Sequence, residues 1–190
     1  MPGIHWRDSS GTRFSGQFGW NPKESIRAIY LQGFFPVGKH IILNPAYLYL
    51  HFADPQITFR HEHGLMPAVI VHFRIKRWLI EDRNLFWNRI RTNAPDINIY
   101  RNRLKIIHPI PGEKVRARVY FFDEAFFLFG ENRWIRNRLA IGFTADIYSR
   151  FNIDAFYVWQ QNRAQPSTTI LFVMVSFILR PVAKKETNRQ

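Results

Sequence analysis

The chain has 190 residues, a formal charge of +13, and 46% hydrophobic and 16% aromatic residues, enough for one domain with a core and too apolar for general disorder. It contains no cysteine, which excludes disulfides, thiolate metal sites and a cysteine nucleophile. No apolar run reaches the length of about 18 residues that a membrane-spanning helix needs.

Residues 13–20 (RFSGQFGW) and 25–35 (SIRAIYLQGFF) read as strands joined by a turn at Asn21 and Pro22. Pro36 to Lys39 form a tight turn, residues 39–52 (ending PAYLYLHF) a third strand, and Asp54 and Pro55 the next turn. Residues 57–75 make a long arm, with Arg60, Glu62, Gly64, Ala68, Ile70 and His72 on one side and Phe59, Leu65, Val69, Val71 and Phe73 on the other. Pro67 predicts a bulge or bend there.

The next two arms form a hairpin over 76–103 that carries charge on every second residue. Arg77, Glu81 and Arg83 share one side, opposite Trp78, Ile80 and Asn84; Arg101, Arg103 and Lys105 share a side opposite Leu104 and Ile106. After Pro109, Pro111 and Gly112, residues 114–128 repeat the pattern with Arg116, Arg118, Tyr120, Phe122 and Glu124. Residues 133–148 place Arg136, Arg138, Ala140, Gly142, Thr144 and Asp146 opposite Leu139, Ile141, Phe143, Ala145 and Ile147. Residues 151–161 set Asp154 and Gln160 against Tyr157 and Trp159; 168–179 close the set.

This pattern predicts an all-β protein: a closed antiparallel up-and-down β-barrel of about ten strands, transmembrane and of outer-membrane type, with charge inside and apolar side chains outside. Several runs exceed the roughly five or six residues of a globular strand and match the roughly 9–11 that cross a bilayer at barrel tilt. One barrel domain is expected over 1–181, and a disordered polar tail over 182–190. The expected location is the bacterial outer membrane, although no signal peptide is visible in MPGIHWRDSS.

The expected inward ladder is Arg60, Arg77, Arg83, Arg101, Arg103, Arg116, Arg118, Arg136 and Arg138, facing Glu62, Glu81, Glu124, Asp146 and Asp154. Charges inside a narrow barrel must be paired and hydrogen-bonded, or wet; arginine suits this because its planar fork grips carboxylates and stays ionised. Two readings follow. The ladder fills the lumen and fixes register, or, because arginine outnumbers the acids, it makes an anion-attracting pore or pocket.

Other signals are weaker. On a strand, His61 and His63 share a face with Glu62 opposite, and no third metal ligand is identifiable. No serine sits in a GxSxG context and no glycine-rich phosphate loop occurs, so neither a catalytic site nor a cofactor is indicated. The basic residues are spread along strands rather than gathered in a patch, which argues against nucleic acid. The implied partners are outer-membrane lipid, an anionic small solute, or lipopolysaccharide phosphates. The alternatives are a barrel-borne enzyme acting on envelope lipid, or a soluble β-barrel that binds an anionic ligand.

The strings LIEDRNLFWNRIR and YRNRL, then FFDEAFF, RNRLAIGF and DAFYVWQQN, with the earlier NPAYLYL and the Glu62-His63 pair, resemble a bacterial family of uncharacterised outer-membrane β-barrel proteins, a domain of unknown function. The resemblance covers roughly residues 39–180. It implies an exported barrel with no established activity or cofactor. The chain departs from that pattern in lacking a visible signal peptide, in carrying Gly64 where the family tends to have arginine, and in ending on a polar tail without a terminal aromatic.

Overall fold

A computed structural model describes residues 2–8, 10–21, 25–53, 60–112, 115–147, 150–163 and 166–179. The expected tail, 182–190, lies outside them. The strands are β1 (Pro2–Arg7), β2 (Arg13–Asn21), β3 (Ile26–Val37), β4 (Ile41–Leu43), β5 (Ala46–Phe52), β6 (His61–Met66), β7 (Ala68–Ile75), β8 (Trp78–Arg91), β9 (Ile97–Ile110), β10 (Val115–Leu128), β11 (Arg133–Ile147), β12 (Phe151–Asn162) and β13 (Thr168–Leu179). Only a short 3-10 turn at Phe129–Glu131 breaks the all-β pattern among the described residues.

The sheet closes on itself as an 11-strand ring with two extra strands, β4 and β7. β3 pairs with β5 through Ile26–Gln32 and with β4 through Phe35–Val37. β8 pairs with β7 through Trp78–Leu85 and with β6 through Asn88–Arg91. So β4 with β5, and β6 with β7, are each one stave broken by proline, at Pro45 and at Pro67. The breaks are mended locally. Gly33 N donates to Pro45 O at 2.9 Å, Phe86 N donates to Pro67 O at 3.0 Å, and the buried Asn44 Nδ2 donates to Gly33 O at 2.8 Å.

The ring differs from the expected all-antiparallel plan at its closure. β1 pairs parallel with β13, from Pro2 opposite Val175 to Trp6 opposite Leu179, and antiparallel with β2. The N-terminal residues did not read as a strand, because six residues that include Pro2 and Gly3 carry little strand propensity of their own.

Alternation sets which side chains face which way. On β10, Val119 and Phe121 are 40% and 46% exposed, while Tyr120, Phe122 and Glu124 are buried. On β11, β12 and β13 the outward sets run Leu139 to Ile147, Phe151 to Trp159 and Leu171 to Leu179. Each spans eight residue steps, about 27 Å of strand, or about 21 Å of height at a tilt of about 40°. That approaches the apolar band of about 25 Å of a membrane barrel. Trp78, Tyr157 and Trp159 lie on this outer face, each at least two-fifths exposed.

Candidate functional site: the charged barrel interior

The register stacks inward side chains of β8 to β13 into rows. Leu79, Ile107, Tyr120, Gly142, Phe156 and Phe172 form one row, and Glu81, Lys105, Phe122, Ala140, Val158 and Ile170 the next. Arg83, Arg103, Glu124, Arg138 and Gln160 follow, then Leu85, Arg101, Phe126, Arg136 and Asn162. The interior is therefore layered, with a mainly apolar plug, edged by Glu81 and Lys105, beneath a charged layer.

Glu124 anchors the charged layer and is 2% exposed. Its Oε1 accepts from Arg83 Nη2 at 3.0 Å and from Arg101 Nη2 at 2.8 Å. Arg138 Nη1 lies 3.7 Å from Oε2. Arg138 Nε donates to Gln160 Oε1 at 2.7 Å, Gln160 Nε2 to Asn162 Oδ1 at 3.2 Å, and Arg136 Nε to the same Asn162 Oδ1 at 2.8 Å. The guanidinium groups also rest on rings. Arg101, Arg138 and Arg136 lie 4.7, 4.9 and 5.4 Å from the Phe126 centroid, and Arg103 lies 5.4 Å from that of Phe122. Cation–π contact offsets part of the cost of taking these charges from water. The buried Nε atoms of Arg83, Arg101 and Arg103 have no hydrogen-bond acceptor among the described residues.

A second charged centre holds Glu62, fully buried, whose two carboxylate oxygens accept from Arg89 Nε at 2.7 Å and Nη2 at 2.6 Å. Arg89 stacks on Trp87 at 4.8 Å. The indole needs Gly64: a Cβ there would stand 2.6 Å from Trp87 Nε1. Gly64 thus makes the space that a side chain at this position would fill. In the apolar layer, Tyr120 OH donates to Asp154 Oδ1 at 2.6 Å, and Lys105 Nζ sits 3.7 Å over the Tyr120 ring.

Of the expected ladder, the structure brings together Arg83, Arg101, Arg103, Arg136 and Arg138 with Glu124. Glu62 belongs to the second centre, and Glu81 lies in the row of Lys105. Arg118 pairs with Asp146 at 3.5 Å in a half-exposed contact, and Arg116 is exposed at the start of β10. Arg60 and Arg77 stand apart. Arg60 is exposed ahead of β6, and Arg77 is exposed in the two-residue turn before β8. Alternation assigns a face only within a strand, and both fall just outside one. Asp154 is met by a tyrosine hydroxyl, where an arginine partner was expected.

The profile of a family described as "Protein of unknown function (DUF2490)" matches residues 10–170. The chain belongs to this family. The match takes in β2 and β3 as well as the later strands that carry the resemblance. Among solved structures, the DUF2490 chain is similar to an anion-selective porin from Comamonas acidovorans, at 8% identity and a TM-score of 0.44, covering 93% of this chain and 54% of that one. It is also similar to OmpT, an outer membrane protein of Vibrio cholerae in its trimer form, at 9% identity and a TM-score of 0.44, covering 82% and 52%. The chain spans little more than half the length of these structures. Comparison with curated proteins finds no match.

Two features of this DUF2490 barrel escaped the sequence reading. Arg89 was legible, since it continues the parity of Arg83 through Leu85 and Trp87. The outer wall also carries polar groups at the parity of Trp78 and Ile80. Asp82 accepts from Asn102 Nδ2 at 2.7 Å and Asn84 Nδ2 at 3.1 Å, and Asn137 Nδ2 donates to Asp123 Oδ1 at 2.6 Å. Their signal was an acid or amide on the apolar face of each strand. Among the described residues, no group of three or more His, Asp or Glu is arranged to hold a metal ion. Nor does any described serine hydroxyl bond a histidine: Ser15 Oγ accepts from Gln32 Nε2 at 3.0 Å, and Ser10 Oγ donates to Asp8 at 2.7 Å.

Proposed function

We propose that the chain is a barrel of the bacterial outer membrane with a filled, non-conducting interior, and that lipid is its principal partner. One observation carries this reading: the inversion of inside and outside. Glu62 and Glu124 are 0% and 2% exposed, whereas Leu171, Trp20 and Ile141 are 65–68% exposed. In water such a wall of exposed apolar side chains would be an aggregation surface; in a bilayer it is the surface the solvent requires. The layered plug supports the non-conducting part. Tyr120, Phe122, Ala140 and Val158 pack together with Phe156 and Phe172 against them, below a guanidinium layer that is itself packed on Phe126.

Two measurements test this. Fractionation of cells expressing the full-length precursor should place it in the outer membrane, and the refolded barrel in a planar bilayer should carry no current above background. Recovery as a monodisperse protein without detergent would overturn the membrane reading. Steady single-channel steps would overturn the filled interior.

A second reading is that the charged layer holds a small oxyanion. The guanidinium excess around Glu124 and the three unaccepted Nε donors favour it, because a planar fork suits carboxylate or phosphate oxygens. Phosphate or sulfate should then raise the melting temperature of the refolded barrel more than chloride at equal ionic strength. Equal shifts would remove the reading.

A further inference from the structure

The outer wall over β1, β2, β3, β5 and β6 carries an ordered sequence of surfaces along the strands. Ile4, Gly16, Leu31, Tyr47 and Leu65 align across the sheet in one outward row. Phe18, Ile29, Tyr49 and His63 form the next, and Trp20, Arg27, His51 and His61 the one after. At the first row lies a groove of about 510 Å³ lined by Trp6, Phe14, Leu31 and Tyr47, with the backbone of Gly16 and Gly33 in its wall. The third row is cationic and hydrogen-bonding. Arg27 is exposed on the outer face, and His51 and His61 bring their Nδ1 atoms within 3.4 Å of each other. Tyr49 OH and His61 Nδ1 share a hydrogen bond of 2.7 Å, and Tyr47 OH and His63 Nδ1 share one of 2.6 Å. A protonated imidazole donates from both ring nitrogens, so each of these rings can offer an N–H to an anion.

We propose that this face is a binding site for one phospholipid of net negative headgroup charge, its acyl chain in the Gly16–Gly33 groove and its phosphate on Arg27, His51 and His61. The proposal rests on the reading of the wall as lipid-facing. It goes further in picking one patch and one headgroup class. The four residue steps from Gly16 to Trp20, about 13 Å at 3.3 Å per residue, separate a chain-sized apolar slot from the guanidinium, in the order of a lipid's own tail, ester region and phosphate. An arginine beside imidazoles matches a headgroup of net negative charge, whereas in a choline headgroup the quaternary ammonium cancels the phosphate's charge and is itself repelled by the guanidinium. The aromatic side chains between the two ends, Phe18 and Tyr49, are the type that favours the interfacial depth of a membrane.

The test uses the full chain refolded into detergent and mixed with equal amounts of phosphatidylglycerol and phosphatidylcholine of matched chains, with retained lipid read by native mass spectrometry. Phosphatidylglycerol should be retained over phosphatidylcholine by about tenfold, the scale of one charge-assisted hydrogen bond. Arg27→Gln alone should cut that preference severalfold, and Arg27→Gln combined with His51→Gln and His61→Gln should abolish it while some lipid of both kinds stays bound. Gly16→Leu, which fills the groove, should lower retention of both lipids together. Heat-modifiable gel migration confirms that each variant is a closed barrel. An unchanged preference in the triple variant, or undiminished retention in Gly16→Leu, would overturn the site. A barrel that enters vesicles without headgroup discrimination sinks this inference alone; one that never enters them sinks the membrane reading beneath it.

Discussion

Substitution of Glu124 by glutamine is the sharpest probe of the interior. The side chain keeps its length and one acceptor oxygen but loses the charge that Arg83, Arg101 and Arg138 approach at 3.0, 2.8 and 3.7 Å. The side chains of Arg83 and Glu124 are 9% and 3% exposed, so water cannot take over the lost partner. Removing one member of a buried ion pair costs about 3–5 kcal/mol, against under about 1 kcal/mol for an exposed pair. Glu131, exposed and paired with Arg133 beyond the end of β10, supplies the control. With a denaturant slope of about 2 kcal/mol per molar in urea, Glu124→Gln should lower the unfolding midpoint of the refolded barrel by about 2 M, followed by tryptophan fluorescence. Glu131→Gln should leave it within a few tenths. Equal midpoints for the two variants would refute the claim that the Glu124 cluster is a buried, mutually dependent unit.

The apolar layer makes its own prediction: a Cβ at Gly142 would stand 2.3 Å from Tyr120 Cζ, so Gly142→Ala should displace the ring, break its bond to Asp154 and cost about 1–3 kcal/mol, seen as a loss of near-ultraviolet circular dichroism. On the outer wall, Ile141→Arg should destabilise the barrel in liposomes by about 2–4 kcal/mol if that position lies near the midplane; an unchanged unfolding midpoint would argue that Ile141 faces water. Arg77→Ala, in an exposed turn, should shift stability by no more than about 0.5 kcal/mol, whereas Arg83→Ala should cost several times that in the same urea titration.

What could be read from the sequence, and what could not, divides along a physical line. Period-2 alternation is a local property, so the faces of most residues on β10 and β11 were legible: Tyr120, Glu124 and Arg138 inward, Phe121 and Ile141 outward. Strand ends are set by turn geometry, and parity says nothing past them, which is why Arg60 and Arg77, expected in the ladder, lie exposed just outside β6 and β8. Partners across the barrel depend on register and shear. Alternation therefore put Asp154 on the right face without revealing that Tyr120 would reach it. The N-terminal strand was illegible because its pairing partners, β2 and β13, supply the order its own six residues lack.

That closing strand also dictates a timetable. Nearly every other stave can zip onto the neighbour made just before it, a cheap local step. The pairing of Ile4 with Phe177 joins opposite ends of the fold and carries the largest loop-closure entropy in the molecule. The ring therefore clasps last, and until it does the chain is an open ribbon with two bare edges. A cut near either end would leave an intact meander unable to become a cylinder.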